Sequence, residues 1–324
     1  MKLPTLSVVV PNYNHARHLP GCLNAILGQS APAAEIIIID DGSTDNSVEV
    51  IEDFARRHPS IRFYRNESNR GVTWTCNRGA ALATGDFLVI PGADDEVQPG
   101  FFEKSLRLLA EYPQAGACGS ICQYRDMTSG LSWYLGTAIS DRPCFFPPEQ
   151  LVGMSRTGRL LISTSSMILH RQSFLDAGSY LADLRWHSDW FAFFVVGFRR
   201  GICFVPEPLA EFRIYSSSFS NQGMRRSQDQ RAVLLRMLEY LELPEYRDAA
   251  ERFREGAAFA SFGWVMLRLL AGERKYRKYL TPGYLRAASW WIAKLTARRL
   301  LPDPLARFCL RVAGYQKLPA PKPA

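Results

Sequence analysis

The chain of 324 residues is 47% hydrophobic and 22% charged, which is the composition of a folded globular protein and argues against intrinsic disorder. Its seven cysteines are an odd number, and no histidine stands near the closest pair, Cys118 and Cys122, so we expect reduced thiols rather than a disulfide framework or a zinc site. The net charge of +8 is uneven, because residues 268–324 hold 13 Lys and Arg against 2 Asp and Glu, whereas the rest holds 26 against 29.

Four short apolar runs in the first third of the chain predict buried strands at residues 6–10, 36–39, 61–64 and 87–90. The first strand should end at Pro11, because proline cannot donate a hydrogen bond to a sheet. Apolar residues at helical spacing follow the first two runs, and a helix rich in small residues follows the third. This alternation predicts an α/β fold with a doubly wound, mostly parallel sheet.

Paired carboxylates follow two of these strands. Asp40 and Asp41 end the second strand, and Asp94 and Asp95 come after the fourth. All four should converge on the crevice at the carboxyl edge of the sheet, where ligands bind in open α/β folds. Carboxylates there accept hydrogen bonds from ribose hydroxyls or a base N–H, whereas an ordinary Asp-Gly turn is the alternative. Adjacent carboxylates repel each other, which favours the ligand interpretation, and Ser43 is placed to cap the next helix.

The crevice also suits a divalent cation, Mg²⁺ or Mn²⁺, with a nucleotide diphosphate supplying further oxygen ligands. The loop after the first strand reads Pro-Asn-Tyr-Asn-His at residues 11–15, without a glycine-rich fingerprint or a P-loop lysine. This argues against a nicotinamide dehydrogenase and against a P-loop kinase. The metal should therefore neutralise most of the phosphate charge.

Four motifs of the first half resemble those of the family 2 glycosyltransferases: VVVPNYN at residues 8–14, IDDGSTD at 39–45, NRG at 69–71 and ADD at 93–95. Three later ones resemble the acceptor-side signature that carries the family's catalytic base: SDW at residues 188–190, VPEPLA at 205–210 and FR at 212–213. The resemblance covers about residues 5–222. It implies the GT-A fold, inverting transfer from a nucleotide-diphosphate sugar, and a divalent metal.

The resemblance also implies roles for individual residues. Pro11 and Tyr13 would flank the base of the donor, Asp94 would hold the metal, and Asp189 would be the catalytic base. The nucleotide-sugar site as a whole would consist of Pro11, Tyr13, Asp40, Asp41, Asn69 and Asp94.

The sequence departs from the family at three positions that bear on metal affinity and donor identity. Gly92 stands where the family has the first carboxylate of its Asp-x-Asp motif. Cys76 replaces a frequent arginine, and Tyr215 replaces a frequent histidine. One carboxylate with diphosphate and water still suffices for an octahedral shell.

Asp189 has a second interpretation from its surroundings. It opens an amphipathic helix that continues through Phe193, Phe194 and Gly197, and the positive end of the helix dipole keeps a nearby carboxylate ionised. An ionised carboxylate is what a general base requires. The alternative is that Asp189 merely caps this helix.

The resemblance divides the chain into a catalytic domain, residues 1–222, and a basic helical C-terminal extension, residues 223–324, with a disordered Pro-rich end. The catalytic domain would have a nucleotide-sugar half, about residues 1–112, and an acceptor half, about residues 113–222. Within the extension, one helical face should carry the apolar residues Tyr284, Leu285, Ala288, Trp291, Ile292 and Leu295. This face predicts either an interfacial helix on anionic lipid or a helix packed on the catalytic domain.

We expect no signal peptide and no membrane span, and therefore a cytoplasmic protein, peripheral on the inner face of the plasma membrane if the interfacial helix forms. No nucleic-acid-binding module accompanies the basic residues, so nucleic acid is not an expected partner. The predicted function is inverting transfer from a UDP- or dTDP-sugar to a glycan or lipid-linked acceptor. A degenerate non-catalytic nucleotide- or glycan-binding module, suggested by Gly92, and a membrane-surface scaffold are the alternatives.

Overall fold

A computed structural model describes residues 2–215 and 227–300. These residues form one sheet with the strand order β3-β2-β1-β4-β9-β6-β10-β5, while β7 pairs with β6 and β8 pairs with β10. The strands are β1 (Leu6–Asn12), β2 (Glu35–Asp40), β3 (Ile61–Arg65), β4 (Phe87–Val89), β5 (Glu96–Val97), β6 (Ala117–Asp126), β7 (Ser132–Leu135), β8 (Cys144–Phe146), β9 (Met167–His170) and β10 (Ile202–Ile214).

The first four strands are mutually parallel and joined by helices, as the apolar runs predict. Strand β9 then enters antiparallel between β4 and β6, and β10 runs parallel to β6. The helices are α1 (Leu19–Leu27), α2 (Ser47–Arg57), α3 (Val72–Leu82), α4 (Phe101–Glu111), α5 (Pro148–Arg156), α6 (Arg171–Asp176), α7 (Ser188–Arg200), α8 (Ser227–Tyr240), α9 (Arg247–Glu255), α10 (Gly263–Gly272) and α11 (Pro282–Leu300).

The predicted end of β1 at Pro11 is wrong, because the strand continues to Asn12 with Pro11 opposite Ile39 of β2. Strand β4 pairs with β1 no further than Val8, so β1 is paired on one side only where the proline stands. A proline is tolerated at such an edge position because the sheet does not need its missing N–H.

Buried side chains cover both faces of the sheet. On β1, Val8 and Val10 face one apolar cluster with α1, α2 and α4, whereas Val9 faces the opposite side. Helix α3 lies close against this opposite face, since a Cβ on Gly79 would stand only 2.2 Å from a methyl of Val9. A larger apolar cluster joins α5 and α7 to the C-terminal helices α8–α11.

The last helix, α11, packs on this larger cluster through Tyr284, Ala288 and Trp291, which are all buried. The sequence prediction of one apolar face shared with Leu285 is therefore wrong, because Leu285 points outward and is 48% exposed. The side chain of Leu295 and the predicted disordered end lie outside the described residues. The division into two domains stays a prediction.

In the part of the chain that the structure describes, no helix has the length and apolar character to cross a membrane.

Candidate active site

Asp40 lies at the carboxyl end of β2 and is fully buried. Its carboxylate accepts hydrogen bonds from the Asn12 side-chain amide at 2.8 Å and from the Ser43 backbone N–H at 2.9 Å. The Ser43 hydroxyl in turn accepts the N–H of Asn14 at 2.9 Å. Asp40 thus ties the loops after β1 and β2 together. Ser43 does not cap α2, which begins at Ser47, whose N–H is accepted by Asp45 at 3.0 Å.

Asp41 organises the neighbouring loop, residues 66–71. Its carboxylate accepts the Asn66 side-chain amide at 2.6 Å and the backbone N–H groups of Arg70 and Gly71 at 2.9 and 2.8 Å. Gly71 has a φ of 90°, which glycine adopts without strain, and this lets the N–H groups turn towards the carboxylate. Asp40 and Asp41 therefore hold the loops after β1, β2 and β3 in place through hydrogen bonds within the protein.

The other predicted donor residues lie at the rim of the same edge. Pro11 is half-buried, while Tyr13 and Asn69 are exposed on the loops after β1 and β3. Tyr13 has 42% of its surface accessible, which leaves its ring free to stack on a planar group. The assignment of these residues, and of Asp40 and Asp41, to a nucleoside stays a prediction.

Asp94 and Asp95 follow β4 on the other side of β1, and their oxygens converge above Gly92. A Cβ built on Gly92 would lie 2.9 Å from Asp94 Oδ1 and 3.1 Å from Asp95 Oδ2. Burial, together with the negative charge of Asp94, raises the pKa of Asp95 to about 8. Asp95 is held by the Arg213 backbone N–H at 3.1 Å and the Ser165 hydroxyl at 3.2 Å.

These two carboxylates fit a divalent cation. A buried carboxylate that a neighbouring carboxylate drives towards protonation is stabilised when a cation lies between them. No cluster of three His, Cys, Asp or Glu side chains suited to a metal occurs among residues 2–215 and 227–300. A cation at Asp94 would therefore take its remaining ligands from a bound diphosphate and water, as Mg²⁺ commonly does.

Asp189 lies in the first turn of α7 and is half-buried. Its Oδ2 accepts the Thr164 hydroxyl at 2.6 Å, and its Oδ1 accepts the N–H of Trp190 at 2.6 Å. The residue at the N-cap position of α7 is His187, whose side chain makes no capping hydrogen bond, while Asp189 accepts one N–H of the first turn. Whether Asp189 acts as a base or only at the helix end stays a prediction. An ionised carboxylate has about four lone-pair positions, and two bonds leave it able to accept a proton.

The charges of Asp189 and Asp41 both act on the thiol of Cys76. Its thiol is buried on α3, and burial, followed by the negative charges of Asp189 and Asp41, raises its pKa to about 12. The thiol therefore lies within electrostatic reach of both carboxylates. It occupies, as a small neutral group, the position where the resemblance expects an arginine.

The loop before Asp189 is held by a residue that sequence reasoning missed, Gln230 of α8. Its side-chain oxygen accepts the indole N–H of Trp186 at 2.9 Å, and its amide lies 2.8 Å from His187 Nε2. Burial lowers the pKa of His187, so the imidazole is held neutral between α7 and α8. A lone glutamine gives no sequence signal, because its partners are 43 and 44 residues away.

Arg185 in the same loop has φ 47° and ψ −119°, a conformation that is strained for a residue with a side chain. The Ser188 hydroxyl donates to the Arg185 carbonyl at 2.9 Å and helps to hold it. Backbone strain of this kind persists where the surrounding contacts fix it. The segment Ala182–His187 is thus fixed both by its own turn and by α8.

The chain matches a described family over more than half its length. Residues 7–175 match the sequence model of glycosyl transferase family 2. The Bacillus subtilis (strain 168) protein EpsH, provisionally named a glycosyltransferase, is 25% identical over 331 residues, which cover 98% of this chain and 94% of that protein.

Two solved structures share the fold. Staphylococcus aureus TarS, residues 1–349, in complex with UDP-GlcNAc, is 13% identical with a TM-score of 0.60, covering 95% of this chain and 91% of that one. The mannosyltransferase PcManGT from Pyrobaculum calidifontis, in complex with GDP-Man and Mn²⁺, is 20% identical with a TM-score of 0.53, covering 90% and 88%. These likenesses confirm the predicted GT-A fold.

Proposed function

Because the chain belongs to glycosyl transferase family 2 and is thus a glycosyltransferase, we propose that it inverts the anomeric carbon of a UDP- or dTDP-sugar during transfer. The acceptor is a glycan or lipid-linked glycan in polysaccharide or cell-surface glycan synthesis. One observation carries the proposal: two carboxylate centres, Asp94 with Asp95 and Asp189, are linked through a single turn, residues 164–166.

In this proposal the donor nucleoside lies at the rim formed by Pro11, Tyr13 and Asn69, with Asp40 and Asp41 beneath it. The exposed ring of Tyr13 stacks on the base. Asp40 and Asp41 act by holding the two loops, since most of their hydrogen-bonding capacity is used within the protein. The complexes of TarS with UDP-GlcNAc and of PcManGT with GDP-Man support a nucleotide-sugar donor.

Asp94 is the proposed protein ligand of Mn²⁺ or Mg²⁺, and Asp95 supports it from the buried side. When bound, such a cation neutralises the charge that develops on the leaving diphosphate. The Mn²⁺ in the PcManGT complex supports a divalent metal here. A longer side chain at position 92, where the family motif has a carboxylate, would meet the oxygens of Asp94 and Asp95, which already converge there.

Asp189 is the proposed general base. It accepts the proton of the acceptor hydroxyl while that oxygen attacks the anomeric carbon and the bond to the nucleoside diphosphate breaks. A single displacement without a covalent intermediate inverts the anomeric centre. A non-catalytic nucleotide-binding module, the alternative that Gly92 favours, would bind the donor without releasing the diphosphate.

Release of nucleoside diphosphate from a panel of UDP-, dTDP- and GDP-sugars with Mn²⁺ tests the proposal. We expect turnover of at least one donor by the wild-type protein. Asp94→Ala should lose both this turnover and the Mn²⁺-dependent thermal stabilisation by the donor. Asp53→Ala, which removes an exposed carboxylate on α2, is the matched control. Donor binding without turnover would favour the non-catalytic module. The absence of both binding and turnover would refute the proposal.

We further propose that the protein is cytoplasmic and associates with the inner face of the plasma membrane through the outer side of α11. Leu285 and Trp290 are 48% and 41% exposed there, beside the exposed Arg286. Each basic residue near an anionic surface contributes about 1 kcal/mol, and salt screens this attraction.

Flotation with phosphatidylglycerol and phosphatidylcholine vesicles tests this association. Leu285→Ser/Trp290→Ser should reduce binding to the anionic vesicles, whereas Leu243→Ser, at an exposed leucine before α9, should not. Equal binding of the wild-type protein to both vesicles at low salt would refute it.

A further inference from the structure

We propose that residues 163–166, here called the hydroxyl turn, are a positioning element that sets the catalytic base at a fixed place relative to the metal-side carboxylates. The turn reads Ser-Thr-Ser-Ser and joins α5 to β9. This inference rests on the proposed function, because it assigns Thr164 and Ser165 to the support of the two proposed centres.

Thr164 supports the base. Its hydroxyl donates to Asp189 Oδ2 at 2.6 Å, while Oδ1 accepts the N–H of Trp190. With one bond to each oxygen, the plane of the carboxylate is fixed. A carboxylate that could rotate would present its lone pairs to the acceptor hydroxyl for only part of the time, and misplacement by about 1 Å costs a reaction about 100-fold.

Ser165 supports the other centre. Its hydroxyl donates to Asp95 Oδ2 at 3.2 Å, on the buried side of the pair that converges above Gly92. Consecutive Cα atoms are about 3.8 Å apart. The two centres are therefore attached to adjacent residues of one turn, although they lie 94 positions apart in the sequence.

The turn itself is anchored to the sheet. Ser166 is fully buried, and its hydroxyl lies 3.0 Å from the carbonyl oxygens of both Ser120 and Ser163. The hydroxyl of Tyr124, on the same strand as Ser120, donates to the Ser163 hydroxyl at 3.1 Å. Because β6 is an interior strand of the sheet, an element fixed to it moves little.

All four side chains of the turn thus use their hydroxyl groups, two to hold the turn and two to hold the carboxylates. An apolar turn of the same shape could be buried equally well but could not orient a carboxylate. The hydroxyls of Thr164 and Ser165, which hold the carboxylates, should therefore have separate effects. Loss of the Thr164 hydroxyl should slow proton transfer, and loss of the Ser165 hydroxyl should weaken metal affinity.

The first arm of the test compares Thr164→Val, which keeps the shape and removes the donor, with Thr164→Ser, which keeps the donor. The substrate is the panel sugar nucleotide that the wild-type protein turns over fastest. We expect Thr164→Val to lower kcat by about 10- to 100-fold with the donor KM within about twofold.

Thr164→Ser should stay within about threefold of wild type, since its hydroxyl reaches the same oxygen. Thr157→Val is the matched control, because the Thr157 hydroxyl donates to the carbonyls of Gly153 and Met154 at the end of α5. The control should leave both kcat and the donor KM unchanged. Thermal unfolding of each variant verifies that the fold is intact.

The second arm uses Ser165→Ala and measures the Mn²⁺ concentration at which the donor half-maximally stabilises the protein. Loss of a supporting hydrogen bond near a metal ligand should raise this midpoint about 10-fold and leave kcat at saturating Mn²⁺ within about threefold of wild type. If Thr164→Val keeps its kcat, or if Thr164→Ser is as impaired as Thr164→Val, the positioning role is refuted.

The outcomes for the turn and for the enzyme are separable. Failure of the wild-type protein to turn over any donor refutes the proposed function. A wild-type protein that turns over a donor and loses this activity in Asp189→Asn, but not in Thr164→Val, refutes the hydroxyl turn alone.

Discussion

Asp189→Asn is the substitution that isolates proton transfer from everything else Asp189 does. The asparagine oxygen can still accept the N–H of Trp190, and its amide can donate to the Thr164 hydroxyl, which then acts as the acceptor. The side chain therefore keeps its place, and the change in the free energy of unfolding should be at most about 1.5 kcal/mol. What is lost is the ability to take a proton.

General-base catalysis contributes about 10²- to 10⁴-fold, so the transfer rate should fall by that factor. At about 1.4 kcal/mol per decade, this is a rise of about 3 to 5 kcal/mol in the activation free energy. Single-turnover kinetics gives the rate, and donor-dependent thermal stabilisation verifies that affinity is unchanged. Asp176→Asn, at an exposed carboxylate at the end of α6, is the control. Transfer within about threefold of wild type would show that the base lies elsewhere.

Three further substitutions test the framework that positions the site. Burial would raise the pKa of Glu35, but hydrogen bonds from two hydroxyls, a backbone N–H and a guanidinium lower it to about 2. The contribution of the ionised Glu35 to the stability of the fold is therefore present above pH 4.5 and lost as the pH falls towards 2. Glu35→Gln should thus lower the free energy of unfolding at pH 7 by about 3 kcal/mol and flatten its acid dependence, measured by urea titration. Gln230→Leu should cost about 1 to 3 kcal/mol of stability and lower kcat with the donor KM unchanged; an unchanged kcat would show that α8 does not support the segment before Asp189. Gly79→Ala should destabilise by about 1 to 3 kcal/mol through the contact with Val9. Gly153→Ala should not, because among the described residues the added Cβ would meet no atom within 4 Å beyond its chain neighbours and the backbone of α5. Equal unfolding midpoints would contradict the close packing of α3 on β1.

The first half of the fold could be predicted because parallel strands buried on both faces are continuous apolar runs in the sequence. The strand before Asp40 and the one before Gly92 have this form, and their carboxyl ends meet at one edge as expected. The end of β1 was misjudged at Pro11, because the cost of a proline depends on whether a neighbouring strand is present. Whether a neighbouring strand reaches Pro11 depends on the length of β4, which the residues of β1 do not reveal.

The support of the site could not be predicted, because it consists of contacts between distant residues of common types. Thr164 is 25 positions from Asp189, and Gln230 is 43 positions from His187. Serine and threonine runs are typical of ordinary turns, so the hydroxyl turn gave no signal of its own.

The orientation of α11 was undecidable from the sequence for a different reason. Helix α11 carries apolar residues on more than one of its sides. Tyr284 and Leu285 are adjacent in the sequence, but Tyr284 is buried and Leu285 is exposed. Periodicity identifies a helix, but the neighbouring helices decide which side is buried. Here the large rings of Tyr284 and Trp291 fill the cluster with α10, and Leu285 is left outside.

The anomeric configuration of the first product is the measurement that tests the central claim most directly. Proton NMR of sugar released from an α-linked UDP-sugar, recorded before mutarotation, distinguishes the two anomers by their H1 coupling. Displacement assisted by the single base Asp189 predicts the β-anomer. An initial α-anomer cannot arise from a single displacement on the face opposite the leaving group and would contradict the account.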